Sequence, residues 1–377
     1  MIYLDSSATT FQKPPEVAAA VKEAFQTMSS PGRGGYESAM KAAETLFRCR
    51  TELAELFHLS DPGRVVFTMN ATHGLNIAIK SLVKPGGTVV ISGYEHNAVT
   101  RPLEALGAQV LVASAPLFHP DGVLDAFEGM IRPGMDAVIC NHVSNVFGMV
   151  QPIEGIAELC RERGVPLIVD ASQSAGILRL DMEELGAAFA AMPGHKGLYG
   201  PQGTGVLLCG GEDLPATLLE GGTGSMSLSR NMPDFLPDRL EAGTHNVPGI
   251  AGLLAGVGYV RRRGVEQICQ KERLLAWRLV REMEKIPGLR VFASSGMAGQ
   301  VGVVSFIVEG WDCEDVAAAL GARGFALRSG LHCAPLAHRS GGTEHCGTAR
   351  VSFSDFSTEE ETDLFVAALR TVLGGEI

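Results

Sequence analysis

From about residue 65 to residue 209, short apolar runs alternate with helix-length segments. That alternation constrains the fold more than any other feature of the chain. "RVVFT" (64–68) precedes a helix pattern starting near Ala71, and "TVVIS" (88–92) precedes one near Asn97. "QVLVAS" (109–114), "DAVICNHV" (136–143) and "VPLIVD" (165–170) follow at similar spacing. Strands alternating with helices build βαβ units around a mostly parallel sheet, so the expected fold class is α/β. "AAFAAM" (187–192) and "TGVLLC" (204–209) are closer together, which suits antiparallel pairing.

After about residue 260 the pattern changes. "RRRGVEQICQKERLLAWRLVREMEKIPG" reads as one long amphipathic helix ending at Gly288. "GVVSFIV" (302–308), the helix "CEDVAAALGARG" (313–324), a loop around Cys333, "ARVSFS" (349–354) and a final helix from about Glu359 complete the chain. This order predicts a smaller α+β domain. Residues 15–260 are expected to form a large domain. Residues 1–14 and 261–377 are expected to form a small one packed against it.

Composition excludes several classes of protein. The 377 residues carry a net charge of −11 with no basic stripe, which argues against nucleic acid as a partner. No apolar run reaches 18 residues, so no membrane span is expected. "MIYLDSSATT" has neither a basic n-region nor an apolar run, so no secretory leader is expected. The eight cysteines are scattered without a CxxC, as in a cytoplasmic protein with reduced thiols. Only Cys333 and Cys346 lie among polar, glycine-rich neighbours.

In open α/β sheets ligands bind at the carboxyl ends of the strands, and polar residues cluster at those ends here. Asn70 and Thr72 follow one strand, and Glu95, His96 and Asn97 another. His142, Ser144 and Asn145 end a third; Asp170, Ser172 and Gln173 end a fourth; His195 and Lys196 follow a fifth. Lys196, in "AAMPGHKGLYGPQGTG", is the only lysine between Lys84 and Lys271. An apolar, glycine-rich setting suits an amine that must be neutral to attack a carbonyl.

If that carbonyl belongs to pyridoxal phosphate, the cofactor needs several partners. Asp170 is placed to hold the pyridine nitrogen protonated. His96 offers a flat ring for stacking, and Gln173 and Asn145 are candidates for the 3′-oxygen. The helix N-terminus at "NATHG" offers the Ala71 N–H and the Thr72 hydroxyl to the phosphate, with His195 beside them. Taken singly each feature is weak, since a strand-end aspartate also caps helices. Their order on successive strands carries the reading.

"YLDSSATT", "NATHG", "EHNAV", "HVSNVFG", "VDASQSAG", "GHKGLYGPQGTGVL", "EAGTHN" and "RSGLHCAP" together resemble the class V aminotransferase branch of the fold-type I pyridoxal phosphate enzymes. More narrowly they resemble cysteine desulfurases and selenocysteine lyases. The resemblance runs from end to end. It implies a mostly parallel seven-stranded sheet flanked by helices. It implies Lys196 as the Schiff-base lysine, His96 stacked on the ring, Asp170 on the pyridine nitrogen, Asn145 and Gln173 at the 3′-oxygen, and Thr72 and His195 on the phosphate. A further phosphate contact would come from Thr244 of the partner subunit in a homodimer. Arg350 would grip the substrate carboxylate, with Arg33 as a second substrate-side arginine.

Cys333 matches the family's catalytic cysteine. Its thiolate would attack the sulfur of L-cysteine, leaving an enzyme persulfide and L-alanine. Arg328 and His332 are expected to lend positive charge to that thiol. The short spacing from Cys333 to Arg350 resembles group II desulfurases, whose persulfide passes to a docking sulfur-acceptor protein. A selenocysteine lyase acting on L-selenocysteine, or another class V lyase or transaminase, is the alternative. The spacing HC-x4-H-x6-HC of His332, Cys333, His338, His345 and Cys346 matches no recognised zinc pattern, so no metal is expected. A redox role for Cys346 beside Cys333 is the remaining reading of this loop. Two departures from the family pattern stand out. Pro193 replaces a Ser or Thr that would face the phosphate, and Ser6 and Ser7 follow Asp5 where DNAAT is usual.

Overall fold

A computed structural model describes residues 1–32 and 34–374. The strands, in chain order, are β1 (Ile2–Tyr3), β2 (Val65–Thr68), β3 (Thr88–Ser92), β4 (Gln109–Ala113), β5 (Ala137–Asn141), β6 (Leu167–Asp170), β7 (Phe189–Pro193), β8 (Gly205–Cys209), β9 (Leu289–Phe292), β10 (Val303–Val308), β11 (Phe325–Ala326), β12 (Arg328–Gly330) and β13 (Thr348–Ser352). All seven apolar runs between residues 64 and 209 form strands, in one sheet of order β2-β8-β7-β6-β5-β3-β4. β3, β4, β5, β6 and β7 pair in parallel. β8 runs antiparallel to both of its neighbours, β7 and β2.

The reason these runs form strands is their burial. Every residue of β2, β5, β6, β7 and β8 is buried. A parallel sheet covered by helices on both faces asks for such continuous apolar runs. Separate apolar clusters cover the two faces. One gathers Val90, Val138, Val169 and Ala190; the other gathers Val89, Ile139, Ile168 and Ala191. The edge strand β4 is different, with Gln109, Val110 and Leu111 exposed.

The C-terminal region carries a four-stranded antiparallel sheet of order β12-β13-β10-β9. Its core of Leu275, Leu279, Val304, Phe306, Val351 and Phe365 also takes in Leu4. β1 pairs in parallel with β11, and Asp5 bridges to Ser352. The first residues of the chain are therefore built into the C-terminal layer. No helix among the described residues is long and apolar enough to cross a membrane.

One expectation fails. The stretch read as a single helix from residue 261 is the junction of two, Val247–Arg263 and Val265–Met283. Gly264 breaks them with φ 86° and ψ 129°, outside helical values. Arg261, Arg262 and Arg263 occupy the last turn of the first helix, where cations meet the negative end of the helix dipole. "RRRG" was a stop signal inside an otherwise continuous amphipathic pattern.

Two backbone segments near the sheet's carboxyl edge touch without side chains between them. Gly176 has φ 82°, and a Cβ there would overlap the Gly197 carbonyl; a Cβ on Gly197 would overlap the Ala175 carbonyl. Each contact fixes the loop that carries Lys196. Gly176→Ala adds left-handed strain to the backbone clash, so a loss of roughly 2–3 kcal/mol is expected. Denaturant unfolding of the variant checks it, with a midpoint well below wild type as the expected outcome.

Candidate active site

The carboxyl ends of five strands open on one cavity of about 120 Å³. Ala71 and Thr72 line it from the helix after β2, and His96 lines it from the turn after β3. Asn145 follows β5, Asp170 and Gln173 come from the end of β6, and His195 and Lys196 follow β7. The structure thus brings together every cofactor residue expected from the sequence except Thr244. Thr244 is exposed and does not line the chain's own cavity. Arg33 lies outside the described residues.

Local folding explains each position. Asn70 caps the Ala71–Leu82 helix by accepting from the His73 N–H at 2.9 Å. The first N–H groups of that helix are left for an anion. His96 caps the Asn97–Ala105 helix, its Nδ1 accepting from the Ala98 N–H at 3.0 Å. Burial lowers the His96 pKa, while Asp170 opposes the shift and Lys196 adds to it. Asp170 Oδ1 accepts from the Ser172 N–H at 2.9 Å.

Lys196 has no hydrogen bond or ion pair from its amine among the described residues. Burial pushes its pKa down to about 8, against the pull of Asp170 and with help from Arg350. A neutral amine is therefore accessible far below the ordinary lysine range. Gln173 donates to the Ser7 carbonyl at 3.0 Å, and Asn145 Nδ2 donates to the His332 carbonyl at 2.9 Å. Asn145 Oδ1 stays buried without a partner. An orphaned polar atom on the cavity wall is what a missing polar ligand would leave.

The Cys333 loop lies against this cavity. Asn97 N–H donates to the Cys333 carbonyl at 2.8 Å, beside the Asn145–His332 bond. His332 and Cys333 both adopt left-handed backbone, with φ 49° and 56°. Two successive non-glycine residues in that region cost about 1–2 kcal/mol each, and such strain collects at functional sites. The Cys333 thiol is free and exposed. The expectation that His332 lends it charge is not met. Burial, with Arg350 nearby, pushes the His332 pKa down to about 2, so the ring is neutral. Its Nε2 sits 3.1 Å from both the carbonyl and the hydroxyl of Thr348. Arg328 is committed as well, with Nε on Asp5 Oδ2 at 3.1 Å.

Arg350 is 2% exposed and stands behind Asn145. Its Nη1 donates to the Asn145 carbonyl at 2.7 Å and its Nη2 to Asp5 Oδ1 at 2.9 Å. Nε is buried without a partner. A guanidinium held on two sides with a free donor remaining suits a carboxylate ligand. Sequence reasoning missed Asp5, Ser7 and Thr9, which reach this region from the N-terminal segment. The polar cluster "DSSATT" was the only signal, and strand-end logic does not read it. Among the described residues no group of three or more His, Cys, Asp or Glu could hold a metal ion. A larger groove of about 770 Å³ lies between the Val265–Met283 and Glu359–Gly374 helices. Arg278 there pairs with Glu359 and Asp363, and no strand end opens into it.

Fold and cavity define an α/β site with Lys196 in its lining, and the comparisons give the family. The aminotransferase class-V family model matches residues 2–365, and the chain belongs to that family. The family is generally pyridoxal phosphate-dependent. Within it, the chain is 36% identical to a probable cysteine desulfurase of Xylella fastidiosa (strain 9a5c), over 99% of this chain and 91% of the relative. It is 32% identical to a probable cysteine desulfurase of Methanothermobacter thermautotrophicus, over 99% and 95%. The apo structure of the cysteine desulfurase from Thermococcus onnurineus NA1 superposes with a TM-score of 0.90 at 29% identity, covering 100% of this chain and 95% of that one.

Asp5 is the only carboxylate bonded to Arg350 among the described residues. Asp5→Ala should leave a buried guanidinium uncompensated and cost about 3–5 kcal/mol of stability. Asp5→Asn keeps an acceptor in place and should cost clearly less. Urea unfolding of the two variants beside wild type gives the comparison.

Proposed function

We propose that this chain is a pyridoxal phosphate-dependent cysteine desulfurase that converts L-cysteine to L-alanine and holds the removed sulfur on Cys333. The observation that carries the reading is the attachment of the Cys333 loop, by Asn97 and Asn145, to a cavity containing Lys196, Asp170 and His96. Ala71, Thr72 and His195 would hold the phosphate, with Thr244 of the partner subunit. Asp170 would hold a proton on the ring nitrogen, and Asn145 and Gln173 would meet the 3′-oxygen. When bound, the cofactor withdraws electrons from the substrate Cα.

The chain's own groups then have defined tasks. The His96 ring offers its face to the cofactor. Arg350, turned toward Asn145, would take the substrate carboxylate and so orient Cα toward Lys196. The neutral Lys196 amine takes the Cα proton. The Cys333 thiolate attacks the substrate sulfur. A sulfur–sulfur bond forms, the Cβ–sulfur bond breaks with its electron pair moving to Cβ, Cβ takes a proton, and the Lys196 ammonium returns a proton to Cα. Cysteine and the enzyme thiol thus become alanine and an enzyme persulfide. Residues 15–260 would bind the cofactor, with 1–14 and 261–377 carrying the Cys333 loop. A homodimer, a docking sulfur-acceptor protein and a cytoplasmic setting complete the proposal. The eight free cysteines support a reducing compartment.

Cys333→Ser is the direct test. A hydroxyl cannot replace the thiolate at neutral pH. Alanine formation from L-cysteine should fall to the level of a blank while the cofactor absorbance stays unchanged. Wild type exposed to cysteine should gain one reducible sulfur atom on the Cys333 peptide, read by mass spectrometry. Alanine production by the serine variant at the wild-type rate would make Cys333 a bystander and favour another class V reaction.

A second test uses pH. The amine reacts only when unprotonated, so covalent capture of pyridoxal phosphate should accelerate as pH rises and level off above about 8. An ordinary lysine would keep accelerating toward about 10.4. The rate at which the visible band appears, followed against pH, gives the midpoint. Lys196→Ala should show no covalent capture at any pH.

A further inference from the structure

Thr9 faces the ring of His195. Its Oγ1 lies 3.0 Å from His195 Nδ1 and 3.2 Å from the His195 carbonyl oxygen. A hydroxyl has one proton to donate, and the surroundings decide where it goes. The His195 carbonyl already receives the Thr10 N–H at 3.1 Å and the Lys13 ammonium at 3.0 Å, with the Thr10 hydroxyl also at 3.0 Å. Two lone pairs are thus filled without Thr9. Nδ1 is nearer and has no other partner among the described residues. Thr9 is itself held in place, since the Tyr3 hydroxyl donates to its carbonyl at 2.8 Å.

The ring is neutral near pH 7: burial, with Lys196 and Lys13 close by, pushes the His195 pKa down to about 4. A neutral imidazole carries one proton, and the nitrogen that accepts a hydrogen bond is the one without it. Nε2 makes no hydrogen bond among the described residues, and the residue lines the cavity. At the same strand end Pro193 offers neither an N–H nor a side-chain donor.

We infer that Thr9 is a positioning residue: its hydroxyl donates to His195 Nδ1, places the ring proton on Nε2, and so makes the ring a donor to the cofactor's phosphate. This rests on the reading that the cavity takes pyridoxal phosphate with His195 on the phosphate. Without Thr9 a neutral ring is free to carry its proton on Nδ1, and Nε2 would then turn a lone pair toward a dianion. With Pro193 beside it, the site has no spare side-chain donor on this strand to compensate.

The test uses the full chain as wild type, Thr9→Val and Thr9→Ser. Titration with pyridoxal phosphate should show roughly 10-fold to 100-fold weaker binding by Thr9→Val, the range for losing a hydrogen bond to a charged group. Thr9→Ser should restore wild-type binding. Pyridoxal, which lacks the phosphate, should bind wild type and Thr9→Val alike. In nitrogen-15 histidine spectra, with His195 assigned by loss of its signal in His195→Gln, wild type should show the proton on Nε2. Thr9→Val should show a shift toward Nδ1. The inference is overturned by a wild-type proton on Nδ1, by unchanged cofactor affinity in Thr9→Val, or by an equal loss for pyridoxal, which would mark Thr9 as merely structural. If Thr9→Val does not fold, the wild-type tautomer still decides. Failure of wild type to bind pyridoxal phosphate at all would instead remove the reading on which the inference rests.

Discussion

One carboxylate ties the two ends of the chain together. Asp5 accepts from Arg350 on one oxygen and from Arg328 on the other. Arg350 is buried, and a buried guanidinium is tolerated only with an anion and further acceptors around it. Asp5 supplies the anion and the Asn145 carbonyl a second acceptor. The same N-terminal segment pairs with β11, reaches Ser352, and then runs to His195 through Thr9, Thr10 and Lys13. Arginine, cavity lysine loop and C-terminal sheet are therefore held in register by about the first thirteen residues.

Much of the fold is readable from local pattern because the main sheet is buried on both faces. Runs such as "VVFT" and "AVICN" are buried throughout and apolar at every position but the last, and glycines or polar clusters bound them. The strand-end residues are readable for the same reason: a polar residue at the end of a buried strand has few uses other than a ligand or a cap. Asp170, His96 and Lys196 stand out on that ground. The amphipathic period continues through Gly264 and masks the stop that the three arginines and the glycine encode, and the backbone angles of Gly264 make the break plain.

What escaped the sequence depends on partners far apart along the chain. Asp5 meets Arg350 across 345 positions, and Thr9 meets His195 across 186. No periodicity links such pairs. The charge state of His332 escaped for a related reason. Its neighbours in sequence suggest a cation beside a thiol, yet in space it is buried with Arg350 close by, and burial above all leaves it neutral, against the pull of its Thr348 hydrogen bond. Thr244 illustrates the opposite case, a residue whose proposed task lies outside its own chain.

The Cys333 loop is fastened to Asn145 and Asn97 by its main-chain oxygens. The carbonyls of His332 and Cys333 take the bonds from Asn145 and Asn97, while the thiol stays exposed. The handle and the cargo position are thus separate parts of one residue. Adding a sulfur atom extends the side chain by about 2 Å, and neither fastening bond involves the atom that changes. A loaded and an unloaded loop can share the same two anchors, so the load itself need not dislodge the loop that carries it.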